Sequence, residues 1–96
     1  MSLTGKERAA LRAKANRLPA TVHVGQHGLT AALIQSLDDA LRTHELVKVQ
    51  LGSPSDLPAG EAARQLAATT GAEVVQVIGK TTTLFRHNPD REREAQ

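Results

Sequence analysis

The sequence predicts a single α/β domain, a two-layer sandwich in the order α-β-α-β-α-β-β with a mixed four-stranded sheet. Three observations carry this. The segments from Leu33 to His44 and from Ala59 to Thr70 place apolar residues at the three-and-four spacing of amphipathic helices. Leu46 to Leu51 alternates with a period of two, and Ala72–Ile78 and Thr81–Arg86 are β-rich runs separated by Gly79-Lys80, a two-residue hairpin turn. Glycines and prolines punctuate the joins between these segments.

The first helix runs from Thr4 to about Arg17, because Thr4 and Glu7 have the spacing of a capping box and Pro19 cannot continue a helix. Leu3, Leu11, Ala15 and Leu18 fall on one side of it, with Arg8 and Arg12 on one flank and Lys6 and Arg17 on the other. Thr21 to Val24 is a short strand. After the glycine loop, Leu33, Ile34, Leu37, Ala40, Leu41 and His44 form the inner stripe of the second helix; Asp38, Asp39 and Arg42 make an outer face that reads as merely soluble. In the next strand Val47, Val49 and Leu51 share one side and Leu46, Lys48 and Gln50 the other. Strand, helix and strand in this order imply a crossover between parallel strands.

The segment from Gly52 to Pro58 is a loop in which either Ser55 or Asp56 suits the cap of the third helix. That helix has an alanine-rich inner face and Gly71 as its left-handed stop. Helices are expected on one face of the sheet and polar positions on the other. Residues 1–87 make the domain, and 88–96, which alternate Arg with Glu, form a polar tail expected to fray.

Composition bounds the function. Ninety-six residues suffice for one core, and the lack of cysteine excludes disulfides and thiolate metal sites. No N-terminal apolar run has the length of a signal peptide or membrane span, so a cytoplasmic location is expected and no membrane partner. The net charge is +2 with a pI near 9.5, which permits nucleic-acid binding without demanding it. The first helix is the most basic stretch, with five Lys and Arg side chains against Glu7 alone.

The stretch Val22-His23-Val24-Gly25-Gln26-His27-Gly28-Leu29-Thr30 carries the chemistry. Two glycines leave backbone N–H groups free of side-chain cover in front of a helix N-terminus, which suits a phosphate. Glycine-x-x-glycine is also the spacing with which KH-type modules clamp a nucleic-acid backbone.

Three blocks in order, Val24-Gly25-Gln26-His27-Gly28-Leu29-Thr30, His44-Glu45-Leu46-Val47-Lys48-Val49 and Val77-Ile78-Gly79-Lys80-Thr81 with Leu84-Phe85-Arg86, resemble the CRM domain family. The resemblance spans residues 3 to 87. The family's single-domain bacterial members are the YhbY-like proteins associated with assembly of the large ribosomal subunit. It implies a fold similar to the C-terminal domain of translation initiation factor three. It also implies structured RNA as partner, large-subunit rRNA or a pre-ribosomal particle, with Gly25 to Gly28 as the contacting loop.

Relatives commonly place lysine or asparagine at the two middle loop positions, where this chain has Gln26 and His27. Positive charge there depends on His27, which if unperturbed titrates just below neutrality, so RNA affinity is expected to strengthen from about pH 7.5 to 6. Gln26 and His27 offer polar contacts, and Arg8, Arg12, Lys48, Lys80 and Arg86 are the expected phosphate partners. With Phe85 as the single aromatic residue, expected to pack rather than stack on bases, recognition should rest on backbone and shape.

Competing readings have less support. Gly79-Lys80-Thr81 echoes the end of a P-loop, but Val74 stands where that motif needs glycine, and the dinucleotide fingerprint lacks its third glycine. A nucleotide-dependent enzyme is therefore disfavoured against a non-catalytic module. A protein-interaction module on the ribosome with little RNA contact is the alternative. His23, His27, His44 and His87 lack a short ligand pair, and Asp38-Asp39 lacks a carboxylate partner set, so no metal, cofactor, catalytic residue or small-molecule substrate is expected.

Overall fold

Helix α1 (Gly5–Ala15) starts at the expected capping box: Glu7 N–H donates to Thr4 Oγ1 and Thr4 N–H to Glu7 Oε1, both at 3.1 Å. A computed structural model describes residues 4–25, 28–52 and 58–87 of the chain. The expected tail at 88–96, the expected apolar contact of Leu3 and the loop residues Gln26 and His27 lie outside the described residues.

Strand β1 (Val22–Val24) leads to α2 (Ala31–His44), capped by Thr30, whose Oγ1 accepts from Leu33 N–H. α2 ends abruptly at Glu45, a non-glycine residue with φ of 65°, which turns the chain directly into β2 (Leu46–Leu51). α3 (Ala59–Thr70) has Pro58 at its cap position, not Ser55 or Asp56, which lie outside the described residues; proline's fixed φ suits helix entry although it offers no side-chain acceptor. Gly71 closes α3 in the left-handed conformation, φ 74°, as its position implies. β3 (Glu73–Ile78) and β4 (Thr81–Phe85) are joined by the Gly79-Lys80 turn.

The strands lie in the order β1-β2-β4-β3, with β1 parallel to β2 and the other pairs antiparallel. This is the mixed four-stranded sheet expected. One face, Val22, Val24, Val47, Val49, Leu51 and Leu84, packs on Leu37 and Leu41 of α2 and Ala62 and Leu66 of α3. No described helix is long and apolar enough to cross a membrane.

The opposite face departs from the expectation that all helices share one side. Its lower end is apolar: Leu46 and Phe85 are cross-strand partners, and the irregular register between Val74 and Gln76 leaves Val75 unpaired in β3, where it joins Leu46. Ala15 and Leu11 of α1 cover these three, so α1 sits on the other face from α2 and α3. Phe85 is thereby packed, as expected of it. Leu18 and His44, assigned to inner stripes by periodicity, are exposed, because α1 gives way to a turn before Leu18 and α2 ends at His44. Beyond α1 the face is polar, carrying His23, Gln50 and Thr81 in one cross-strand row and Lys48 and Thr83 in the next.

Candidate nucleic-acid interface

The glycine loop leaves the sheet at the C-terminal end of β1. Gly28 adopts φ of 73°, and its N–H donates to the Gly25 carbonyl at 3.0 Å. The Gly28 carbonyl in turn accepts from Thr30 N–H at 3.0 Å, setting Thr30 as the cap of α2. The Gly28 amide is thus used within the protein and is not offered to a ligand, contrary to a loop with every amide free. Among the described residues, the N–H groups of Gly25, Leu29, Ala31 and Ala32 have no acceptor. Those of Ala31 and Ala32 belong to the first turn of α2, the positive end of its dipole. Only Gly28 needs positive φ; at Gly25 a Cβ would meet nothing within 4 Å.

Gly52 holds this loop in place. Its N–H donates to the Val24 carbonyl at 2.8 Å, and a Cβ at position 52 would stand 2.5 Å from that oxygen. Only glycine allows β2 to approach the exit of β1 so closely. One residue earlier, Leu51 N–H donates to the Lys80 carbonyl at 2.8 Å. Gly25, Gly52 and Lys80 therefore line one end of the sheet, with Lys80 about two strand spacings, or ~10 Å, from the end of β1. Lys80 is exposed.

Residues 3–86 match the sequence profile of the CRS1 / YhbY (CRM) domain. The chain belongs to this family. A Bacillus subtilis protein named Probable RNA-binding protein YqeI is 31% identical to it over 88 residues, 92% of each chain. A Methanocaldococcus jannaschii protein, also named as a probable RNA-binding protein, is 41% identical over 86 residues, 88% of this chain and 63% of its own length. The solution structure of a Staphylococcus aureus protein proposed to bind RNA superposes with a TM-score of 0.78 at 32% identity, covering 91% of both chains.

Within this CRM domain the basic residues singled out from sequence separate into three groups. Lys80 lies at the loop's end of the sheet, and Lys48, half-buried, lies three residues before Leu51 on the face that α1 leaves uncovered. Arg8 and Arg12 belong to α1, whose apolar contacts are Leu46, Phe85 and Val75 at the far end of the sheet from the loop. Arg8 is half-buried, with an Nε closed off from solvent and without a partner among the described residues; Arg12 is exposed.

Arg86 is a correction. Its guanidinium donates to Asp38 Oδ1 at 2.6 Å, to the Thr70 carbonyl at 2.8 Å and to the Asp38 carbonyl at 3.1 Å. With these acceptors it is an internal clamp between β4, α2 and the C-terminus of α3, not a free phosphate ligand. Asp38, placed on a merely soluble face by periodicity, is its partner, and the Arg86 hydrogen bond is the main cause holding the Asp38 carboxyl below its ordinary pKa.

Sequence reasoning also missed Gly52, whose only signal was a glycine at the end of an alternating strand. The P-loop echo dissolves: Gly79-Lys80 is a hairpin turn leading into a strand, whereas a P-loop leads into a helix.

Proposed function

We propose that this CRM domain binds structured RNA through the end of the sheet formed by the Gly25–Gly28 loop and Lys80, and that it does so on precursor large ribosomal subunits in the cytoplasm, assisting their assembly without catalysis. The observation that carries the reading is the joining of Leu51 to Lys80 and of Gly52 to Val24, which brings an exposed lysine to the same end of the sheet as the glycine loop. Amides and a cation at one end suit a sugar–phosphate chain, and the relatives' printed names point to the same polymer. Gln26 and His27 extend the loop's contacts, and Lys48, Arg8 and Arg12 supply further cations along the face and on α1.

The test is ultraviolet crosslinking in cells, sedimentation of ribosomal particles and sequencing of the attached RNA. Large-subunit rRNA joined to peptides around the loop is expected. Crosslinks confined to ribosomal proteins would sink the reading in favour of a protein-docking module. Paired Gly25→Asp and Gly28→Asp substitutions should abolish RNA binding by repulsion while the circular dichroism spectrum is retained.

A further inference from the structure

The geometry points to a second element of recognition: the uncovered face of the sheet holds an unpaired nucleobase of the bound RNA and reads its edge by hydrogen bonds. This inference rests on the RNA reading above and names what that reading leaves open, a base contact beside a backbone contact.

The site is a shallow cavity of about 150 Å³ lined by Asn16, Lys48, Gln76, Ile78, Thr81 and Thr83. Thr83 is fully buried, yet its Oγ1 has no hydrogen-bond partner among the described residues. Buried hydroxyls in folded proteins are nearly always paired, so an orphan facing a cavity marks a place where a polar ligand completes the set. The register shows that it faces this way: Thr83 pairs with Lys48 on one side and Gln76 on the other, all three on the face opposite the main core. Among the described residues the side chains of Asn16, Lys48, Gln76 and Thr81 make no hydrogen bond either.

The lining matches a nucleobase. The amides of Asn16 and Gln76 each present donors and an acceptor, and Thr83 adds a hydroxyl that can do either, which is what a base edge requires. Ile78, 62% exposed, is the most exposed of the large apolar side chains described and gives the flat face of a base something to lie on. Lys48 also lines a neighbouring cavity of about 270 Å³ with Lys14, so two ammonium groups stand ready for the phosphate beside the base. The cavity connects to the glycine loop through the row His23, Gln50, Thr81 and Ile78, which begins two residues before Gly25. With Phe85 packed under α1, edge contacts rather than stacking on rings are the means of discrimination.

Binding of fluorescein-labelled single-stranded homopolymers of adenine, cytosine and uracil, measured by anisotropy alongside a base-paired hairpin, tests this. The intact chain should prefer one homopolymer, and Thr83→Val should cut affinity for that one about tenfold while leaving the others, the slope with salt and the melting temperature no worse. Gln76→Ala, a change at a half-buried position of the edge strand, should erase the same preference if Thr83→Val fails to fold. Gly25→Asp with Gly28→Asp should abolish the binding of every homopolymer alike. Equal binding of all homopolymers, binding of the hairpin alone, or an unaltered preference in both Thr83→Val and Gln76→Ala would overturn this site and leave the loop reading standing. Failure of the intact chain to bind any RNA would overturn both.

Discussion

Arg86 Nη1 and Asp38 Oδ1 meet at 2.6 Å across 48 positions of sequence. The same guanidinium takes up the Thr70 carbonyl at the end of α3, a group that the helix itself leaves without a partner. One side chain thus ties the last strand to two helices. Replacing it with an apolar chain of similar length, Arg86→Met, should cost about 2 kcal/mol in chemical denaturation, the range of charge-assisted hydrogen bonds. The salt dependence of RNA binding should be unchanged, because this guanidinium touches no phosphate.

The same pair sets an acid limit. Asp38 has its carboxyl pKa lowered from 3.8, first by the Arg86 hydrogen bond; burial opposes this, and the nearby charges of Arg86 and Arg42 add to the lowering by smaller amounts. A depressed folded-state value means stability that is complete above the unfolded value and lost as pH falls through the folded one. The stability difference between the native chain and Asp38→Asn should therefore be constant above about pH 5 and shrink below 3.8. Denaturation curves at stepped pH measure it; a difference that grows in acid would reverse the assignment.

Gly52→Ala should be the most damaging glycine substitution near the loop. Its Cβ would stand 2.5 Å from the Val24 carbonyl oxygen, so β1 or β2 must move, at a cost of about 1–3 kcal/mol. Amide resonances of Gly25 and Gly28 should shift with it. By contrast Gly25→Ala meets nothing within 4 Å and should change stability by less than about 0.5 kcal/mol, whereas Gly28→Ala, at φ 73°, should cost about 1 kcal/mol.

Lys80→Ala should lower the slope of log K against log salt by roughly one phosphate equivalent for any RNA the chain binds. Arg12→Ala, on α1 at the far end of the sheet, should reduce it less for an RNA short enough to cover only the loop end. Equal losses in the two variants would place α1 in the same contact.

Thr82 pairs with Val49 and Val77 and points into the main core, fully buried, with an Oγ1 that has no partner among the described residues. Thr82→Val keeps the branched shape and removes the stranded hydroxyl, so stability should rise by about 1 kcal/mol. A thermal melt lower than that of the native chain would show that the hydroxyl has a use.

The features legible in the chain were those set by neighbours a few residues apart. The Thr4–Glu7 box, the Gly71 stop and the Gly79-Lys80 turn each close within one helical turn or one hairpin, so their chemistry stands in the local order of residues. The alternation of β2 likewise assigned Val47, Val49 and Leu51 to one face and Leu46, Lys48 and Gln50 to the other. Periodicity says which side chains share a face, but not which helix covers it; that choice required Val75 to be left over in β3 beside Leu46 and Phe85, making an apolar end for α1 to bury.

Charge shows the division most sharply. Lys80 and Arg86 stand six positions apart with the same sign, and nothing local separates them. The sequence determined the order of elements, the family and the glycine loop, because these rest on local geometry and on motifs in series. Tertiary structure alone decided that Lys80 is exposed at the loop's end of the sheet while Arg86 turns inward to Asp38. Whether a cation is free depends on which acceptors the fold brings within about 3 Å of it.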